Sequence, residues 1–75
     1  MEEIVKYIVD KLVENHDAVV VQSTEDGDNV TINVTVAKGD MGKVIGKQGR
    51  IAKAIRTVVR AATIKSGVKY RIDIL

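Results

Sequence analysis

Val44-Ile45-Gly46-Lys47-Gln48-Gly49-Arg50-Ile51 is the stretch on which the interpretation of this 75-residue chain depends. Two glycines enclose a Lys-Gln pair, an apolar pair precedes them and a basic, helix-forming run follows. Because glycine has no Cβ, Gly46 can end one short helix and Gly49 can open the next. The amides at the start of a helix carry partial positive charge, and Lys47 and Arg50 add full charges within one turn. This combination predicts an anion site, and a phosphodiester backbone suits it best.

Charged residues divide the chain into two unlike halves. Residues 1–37 hold eight acidic and two basic side chains, a net charge of −6, and residues 38–75 hold ten basic and two acidic side chains, a net charge of +8. Such an asymmetry indicates that the second half faces a polyanion. A solvated basic face without a ligand would give the same charges. The glycine pair lies inside the basic half, and that position favours a ligand.

Length and composition limit the class of protein. Seventy-five residues with 45% hydrophobic content predict one domain spanning residues 1–75. The chain has no cysteine, which rules out a disulfide framework and a thiolate metal site. Its longest apolar run, 18–21, is too short to span a bilayer. The acidic, amphipathic start is unlike a secretory signal, so we expect a cytoplasmic protein that does not associate with membranes.

Hydrophobic periodicity predicts six elements in the order helix, strand, strand, helix, helix, strand. The first three are a helix at 2–14, a strand at 18–23 and, after a hairpin turn at Asp26-Gly27, a strand at 30–36. The last three are a short helix at 40–45 with Asp40 as its N-cap, a helix from 49 to about 65 ended by Gly67, and a strand at 68–75.

These elements predict an α+β fold with a three-stranded mixed sheet and three helices packed on one face. The first two strands pair antiparallel, and the third follows a helical crossover and runs parallel to the second. On the long helix the spacing predicts one apolar face, made of Ile51, Ile55, Val58 and Ala62. Basic side chains lie on or near another face: Arg50, Lys53, Arg56 and Arg60.

The element order and the run Val-Ile-Gly-Lys-Gln-Gly-Arg resemble a type II KH domain, whose Gly-X-X-Gly loop joins its two core helices. More closely, residues 40–56, Asp-Met-Gly-Lys-Val-Ile-Gly-Lys-Gln-Gly-Arg-Ile-Ala-Lys-Ala-Ile-Arg, resemble the small bacterial single-KH-domain proteins of the KhpA family. The resemblance covers essentially the whole chain. It implies a helix and β-hairpin at 1–37 and a helix–loop–helix–strand core at 38–75.

The resemblance also implies which residues bind. In KH domains single-stranded nucleic acid passes along the Gly-X-X-Gly loop, and about four bases lie in a groove between the flanking helices and a neighbouring strand. The implied RNA-binding residues are Lys43, Ile45, Gly46, Lys47, Gln48, Gly49, Arg50 and Lys53. Lys43, Arg50 and Lys53 would supply charge at the rim. Val44, Ile45 and Ile51 would line the groove or belong to the core beneath it. The Gln48 side chain can bond to a ligand or point to water.

Other chemistries fit the residues less well. A Walker loop needs four residues between its glycines and a hydroxyl residue after the lysine, whereas Gly42 and Gly46 are three residues apart and Gln48 follows Lys47. An ordinary turn between two helices is a purely structural alternative for Gly46 and Gly49. The chain shows no metal-ligand cluster, catalytic triad or paired carboxylates, so we expect no metal, no cofactor and no enzymatic activity.

Two functions remain after these exclusions. The first is a single-stranded RNA-binding module of low sequence specificity, an RNA chaperone or post-transcriptional regulator, with single-stranded DNA as an alternative ligand. Tyr7 and Tyr70 lie outside the loop region and the chain has no Phe or Trp, so we expect no aromatic platform for bases. About three phosphate contacts predict a salt slope near −2 and an affinity of about micromolar.

The second function is a protein-interaction module, in which the KH scaffold chiefly recruits a partner. The resemblance implies a homodimer, or a heterodimer with a larger KH-containing protein, and a link to cell elongation and division. Apolar residues of the long helix such as Val59 or Ile64 are the interface candidates, with burial in the core as the alternative.

Overall fold

The computed structural model describes residues 1–74, and Leu75, the last residue of the predicted final strand, lies outside that range. Within it the α-helices are α1 (Glu2–Leu12), α2 (Met41–Ile45) and α3 (Arg50–Thr63), and the strands are β1 (Val20–Asp26), β2 (Asn29–Thr35) and β3 (Lys69–Ile74). Short 3₁₀ segments lie at His16–Ala18, Lys38–Asp40 and Lys47–Gly49. The predicted order of helices and strands is confirmed.

The three strands form one mixed sheet in the order β1-β2-β3. β1 and β2 pair antiparallel, and β2 and β3 pair parallel, as predicted. In the hairpin Asp26 pairs with Asn29, so the turn is Gly27-Asp28, one residue later than predicted. Gly27 has φ +63°, which glycine adopts without strain at the first central position of a two-residue turn. Because Thr24, Glu25 and Asp26 also pair with β2, β1 extends beyond the predicted 18–23.

One face of the sheet forms the core together with the three helices. Alternate residues of β2 and β3, among them Ile32 and Ile72, point to this face, as the period-two pattern predicted. The α-helices contribute one stripe each, and the strand and helix residues together form a single apolar cluster: Val5, Val9, Val13, Val19, Ile32, Val34, Val36, Val44, Ile55, Val59 and Ile72. The α+β architecture with all three helices on one side of a mixed sheet is therefore confirmed.

The buried stripe of α3 differs from the predicted one. The side chains that α3 buries are Ala52, Ile55, Val59 and Thr63, whereas Val58 is 49% exposed. Thr63 can end a buried stripe because its hydroxyl donates to the carbonyl of Val59 at 2.8 Å, which satisfies the polar group inside the helix. Val59 is 1% exposed, so of its two predicted possibilities, interface and core, the structure supports the core, while Ile64 is 76% exposed.

Asp40 joins α1 to α2 instead of capping α2. It occupies the N-cap position, but its side chain makes no capping bond. Its two carboxylate oxygens accept the backbone N–H groups of Glu14, at 3.2 Å, and Asn15, at 3.0 Å. These two amides therefore do not continue α1, which ends at Leu12 and not at residue 14 as predicted. Asp40 is 4% exposed, so the buried carboxylate fixes the end of α1 against the start of α2.

Candidate nucleic-acid interface

The segment between α2 and α3 is a sharp, accessible turn. Gly46 ends α2, with φ +76° and ψ 175°, and its N–H donates to the carbonyl of Gly42 at 2.8 Å. Lys47–Gly49 form one 3₁₀ turn, in which the N–H of Gly49 donates to the carbonyl of Gly46 at 3.2 Å. Gly49 is the N-cap of α3, with φ +73°. The chain therefore does not run through 46–49 as a continuous helix, and Lys47 and Gln48 are exposed.

The two glycines of this turn are required for different reasons. A Cβ on Gly46 would lie 2.7 Å from Cγ1 of Ile51, closer than any carbon contact allows. Gly46 therefore lets the first turn of α3 close against the end of α2. A Cβ on Gly49 would meet no atom within 4 Å, so only its positive φ favours glycine there.

Gln48 is in the left-handed region, with φ 56° and ψ 25°, and is the one non-glycine residue at positive φ within residues 1–74. For an L-residue this conformation costs roughly 1–2 kcal/mol. Nothing in the sequence marks Gln48 for it, because Asn and Asp are the usual non-glycine residues there. Its side-chain oxygen accepts a hydrogen bond from Nη2 of Arg50 at 3.3 Å. The left-handed backbone aims the middle of the turn at solvent.

The turn exposes backbone donors. The N–H of Arg50, like that of Gly49, is used inside the turn, where it donates to the carbonyl of Lys47. The N–H groups of Lys47 and Gln48 have no hydrogen-bond acceptor within the described chain. Two adjacent amides without an acceptor, in two exposed residues of which one is a lysine, can donate to the oxygens of one anion.

The basic residues predicted for the site do not have equivalent surroundings. Lys47, Arg50 and Lys53 are exposed, and none of them forms an ion pair within residues 1–74. Lys43 differs, because its ammonium lies 2.7 Å from Oε1 of Glu14 and 3.7 Å from Oδ1 of Asp40. Its charge is therefore compensated locally, and it contributes less to the field at the turn than the sequence implied.

The contacts between the end of α1 and the start of α2 shift the pKa values of Asp40 and Lys43. The hydrogen bond from Lys43 to the Glu14 carboxylate raises the pKa of Lys43, and the charges of Glu14 and Asp40 add to this effect. The backbone N–H groups of Asn15 and Glu14 lower the pKa of Asp40, with a smaller contribution from Lys43. Both ions are thus stabilised in the charged form, as members of a link between α1 and α2.

The predicted apolar residues divide between core and surface. Val44 is fully buried in the core cluster, whereas Ile45 and Ile51 are half-buried on either side of the glycine turn. Ile51 lies against Gly46, as described above, and packs against the core cluster. Of the two predicted possibilities, the core is confirmed for Val44, and contact of Ile45 and Ile51 with a groove stays a prediction.

A groove runs beside α3 along the free edge of β3. A cavity of about 290 Å³ lies between the two elements and is lined by Arg56, Arg60, Tyr70, Arg71, Ile72 and Asp73. Nε of Arg56 donates to the carbonyl of Ile72 at 3.3 Å, so this carbonyl points to the helix and away from β2. The groove continues into a second cavity of about 430 Å³ beside Ile64 and Gly67. Arg56 is thus opposite the later part of β3 and Arg60 opposite its start, so the groove leads away from the glycine turn.

A groove between the flanking helices and a neighbouring strand was expected, but the residues that line this one were not among the predicted site residues. Arg56 and Arg60 were placed on an exposed basic face, but their neighbours Tyr70 and Arg71 on β3 were not connected with them. The signal was available in part, because a third strand that follows the crossover helix and pairs parallel with β2 must lie at an edge beside α3.

Other classes of site find little support in the described part of the chain. No three His, Asp or Glu side chains among residues 1–74 lie close enough together to hold a metal ion. No helix in the same range is long and apolar enough to span a bilayer.

Comparisons with known proteins give matches that cover nearly the whole chain. The family model described as KhpA/KhpB, KH domain, matches residues 2–74. A protein of Caldanaerobacter subterraneus subsp. tengcongensis named RNA-binding protein KhpA is 49% identical over 75 residues, which cover 100% of both chains. Proteins of the same name from Listeria monocytogenes serovar 1/2a and Clostridium perfringens are 48% and 47% identical, over 100% of this chain and 99% and 100% of their own lengths. No solved structure gives a significant match.

Proposed function

The chain belongs to the KhpA/KhpB KH-domain family, and from that premise we propose that it binds single-stranded RNA by gripping the phosphate backbone at Gly46-Lys47-Gln48-Gly49. The relatives named RNA-binding proteins match the chain from end to end. We further propose that it acts in the cytoplasm as an RNA chaperone or post-transcriptional regulator.

One observation carries the proposal: the N–H groups of Lys47 and Gln48, two exposed residues of the turn, have no hydrogen-bond acceptor within residues 1–74, and the exposed basic residues of α3 follow them. A phosphodiester needs donors for its two free oxygens and positive charge nearby, and the turn offers both. The groove between α3 and β3 then offers space for bases beside the phosphates, which is how KH domains hold single strands.

The proposed contacts divide by chemistry. The backbone of the turn and the side chains of Lys47, Arg50 and Lys53 would meet phosphates, and Ile45 and Ile51 would support them. Lys43 would contribute less to phosphate binding than these residues, because its ammonium already pairs with Glu14 and Asp40. About three phosphate contacts give a salt slope near −2 for a single strand, and one module of this size should bind with about micromolar affinity.

Such contacts read little sequence, because phosphates are the same at every position. Low sequence specificity is therefore part of the proposal. The 2′-hydroxyl distinguishes RNA from DNA only if a donor or acceptor meets it, so single-stranded DNA is the natural competitor to include in any binding assay.

The decisive variant replaces both middle residues of the turn, Lys47→Asp with Gln48→Asp. It keeps both glycines, and Asp tolerates the left-handed region, so the fold should persist. Two carboxylates beside the free amides should lower the affinity for single-stranded RNA at least tenfold at 0.1 M salt, measured by fluorescence anisotropy. Thermal unfolding followed by circular dichroism checks that the variant is folded.

A matched control has the same residue types and the same change in net charge elsewhere on the surface: Lys6→Asp with Gln22→Asp. Both positions are exposed, on α1 and β1. The control should bind within about threefold of the unchanged protein. A folded variant at residues 47 and 48 that binds as tightly as this control would overturn the proposed site.

A protein-interaction function has its own supporting observation. Val58 lies on α3 and Ile64 is its C-cap residue, and both expose much of their apolar surface. We propose that this surface serves a homodimer or a heterodimer with a larger KH-containing protein, and that the domain contributes through it to cell elongation and division. Ile64→Glu should shift the sedimentation of the pure protein from dimer to monomer, and a sedimentation coefficient that is unchanged by Ile64→Glu would exclude this surface.

A further inference from the structure

Tyr70 lies in the groove, and none of the proposed phosphate contacts involves it. It lies on β3, opposite Val30 of β2, and its side chain is half-buried on the helix-facing side of the sheet. It lines both cavities beside α3, the one shared with Arg56 and the one shared with Ile64. Tyr70 is therefore located where the two parts of the groove meet.

The ring also borders a cavity on its other side. This cavity, of about 180 Å³, is lined besides Tyr70 by Met1, Glu2, Ser23, Glu25, Val30 and Ile32. Because it lies over the inner face of the sheet, the Tyr70 side chain forms its boundary toward β3. Tyr70 thus borders both that cavity and the groove, and it is half-buried.

Aromatic residues are scarce in this protein, so the placement of Tyr70 is informative. The chain has two tyrosines and neither Phe nor Trp. The second tyrosine, Tyr7, lies on α1 with the ammonium of Lys11 5.1 Å from its ring centre, and it lines none of the cavities beside α3. We expected no aromatic platform for bases because both tyrosines lie outside the loop region in sequence. The fold nevertheless places Tyr70 in the groove.

Distance along the groove fits a nucleobase at this point. From Arg50, at the turn, to Arg60, beside Tyr70, α3 advances ten residues, or about 15 Å. A KH loop clamps about four nucleotides, so a strand that leaves the turn along the groove reaches Tyr70 with its later bases. Arg56 and Arg60 line the same stretch and can hold phosphates while a base turns toward the ring.

We infer that Tyr70 is a stacking platform for one nucleobase at the end of the groove remote from the glycine turn. The inference rests on the proposed RNA-binding function and adds a contact with a base to a site otherwise made of phosphate donors. Every nucleobase has a flat face, so stacking on Tyr70 strengthens binding without reading sequence.

The scarcity of aromatic residues makes the test direct. In a Tyr7→Phe variant Tyr70 is the sole source of aromatic emission, since the chain has no Trp. Titration with a short oligouridylate should quench this emission, in step with binding measured independently by anisotropy of a labelled RNA. A ribose-phosphate oligomer of equal length without bases should bind at the phosphate site and leave the emission unchanged.

Substitutions at the ring separate stacking from charge. Tyr70→Phe should retain the affinity, whereas Tyr70→Leu should lower it at least about fivefold and leave the salt slope unchanged, because no phosphate contact is lost. The fluorescence titration needs no change at Tyr70, so it stays informative even if Tyr70→Leu fails to fold.

The outcomes distinguish the two claims. RNA that binds by anisotropy without quenching Tyr70, or that quenches equally without bases, overturns the stacking inference and leaves the proposed function intact. Absence of any RNA binding by the unchanged protein overturns the proposed function itself. Quenching that requires bases, together with the loss in Tyr70→Leu, supports the inference.

Discussion

The segments on the two sides of Gly46 each carry one lysine, and the fold uses these lysines in opposite ways. Lys43, on α2, directs its ammonium to Glu14 and Asp40 and joins α2 to the end of α1. Lys47, on the 3₁₀ turn, is exposed beside two free amides and has no ion-pair partner within residues 1–74. The formal charge of the basic residues near a loop therefore overstates the positive charge that is available to a ligand. What counts is whether a carboxylate from the acidic half reaches the lysine.

The largest effect that this comparison predicts concerns the glycine between the two segments. Gly46→Ala places a Cβ 2.7 Å from Ile51 and forces a backbone conformation that is almost restricted to glycine. Strain and overpacking together should cost about 3 kcal/mol, which lowers the melting temperature of so small a domain by more than about 10 °C. Urea unfolding followed by circular dichroism measures the loss.

Gly49→Ala is the matched control for that substitution. It has positive φ but open space around the added methyl group, so it should cost only about 1–2 kcal/mol. Equal losses in the two variants would show that the contact with Ile51 has no importance for the closure of α2 on α3.

A pH dependence follows from the link on the α2 side. Because the folded pKa of Asp40 is lowered, its contribution to the free energy of unfolding is present above about pH 4 and is lost as the pH falls through the folded value. The pKa of Lys43 is raised, so its contribution is present below about pH 10.4 and is lost as the pH rises through the folded value. Urea unfolding from pH 2 to 7 should show the acid loss.

Asp40→Asn isolates the carboxylate in that experiment. The variant should be less stable at neutral pH, because the N–H groups of Glu14 and Asn15 bond to different carboxylate oxygens and Asn replaces one of these with an NH₂ donor. Its stability should also decline less steeply below about pH 4. Parallel acid profiles for the variant and the unchanged protein would contradict the assignment of this loss to Asp40.

The two lysines should differ in RNA binding by a smaller but measurable amount. Lys47→Met removes one phosphate contact, so the salt slope should become shallower by about 0.7 and the affinity should fall about fivefold at 0.1 M salt. Lys43→Met should leave the slope unchanged, because its ammonium is held by Glu14. Anisotropy titrations between 0.05 and 0.3 M salt give both slopes. The same slope change in both variants would mean that RNA draws Lys43 away from its carboxylates.

The smallest effect concerns Gln48. Gln48→Gly relieves the left-handed strain at this position but increases the entropy of the unfolded chain, so it should stabilise the domain by only about 0.5 kcal/mol. Differential scanning calorimetry can resolve such a shift. A loss of stability would indicate that the hydrogen bond between Gln48 and Arg50 outweighs the strain.

Sequence patterns predicted the fold well where one period dominates. The alternation from Val30 to Val36 and the helical crossover predicted β2 and β3 to within one residue at each described end. On α3 the pattern predicted the wrong buried face. The predicted and the observed stripe both include Ile55, and they are related by a rotation about the helix axis. Only the packed structure shows that Thr63 ends the buried stripe, with its hydroxyl bonded inside the helix.

The candidate site was predicted less completely, for a physical reason. Spacing revealed the Gly46–Gly49 turn, since it depends on local backbone conformation. Lys43 forms an ion pair with Glu14, and Tyr70 lines the same cavity as Arg60. Both are tertiary contacts, and no local sequence pattern predicts them. Asp40 illustrates the same limit, because its short polar side chain fits a local cap and a distant pair of amides equally well.

Backbone amide shifts in a titration with single-stranded RNA test the central claim most directly. The largest changes should occur at the N–H groups of Lys47 and Gln48, then along α3 and β3 beside the groove, with the β1–β2 hairpin unchanged. RNA binding that leaves residues 47 and 48 unshifted, or that shifts chiefly the hairpin, would contradict the claim that this turn holds the phosphate backbone.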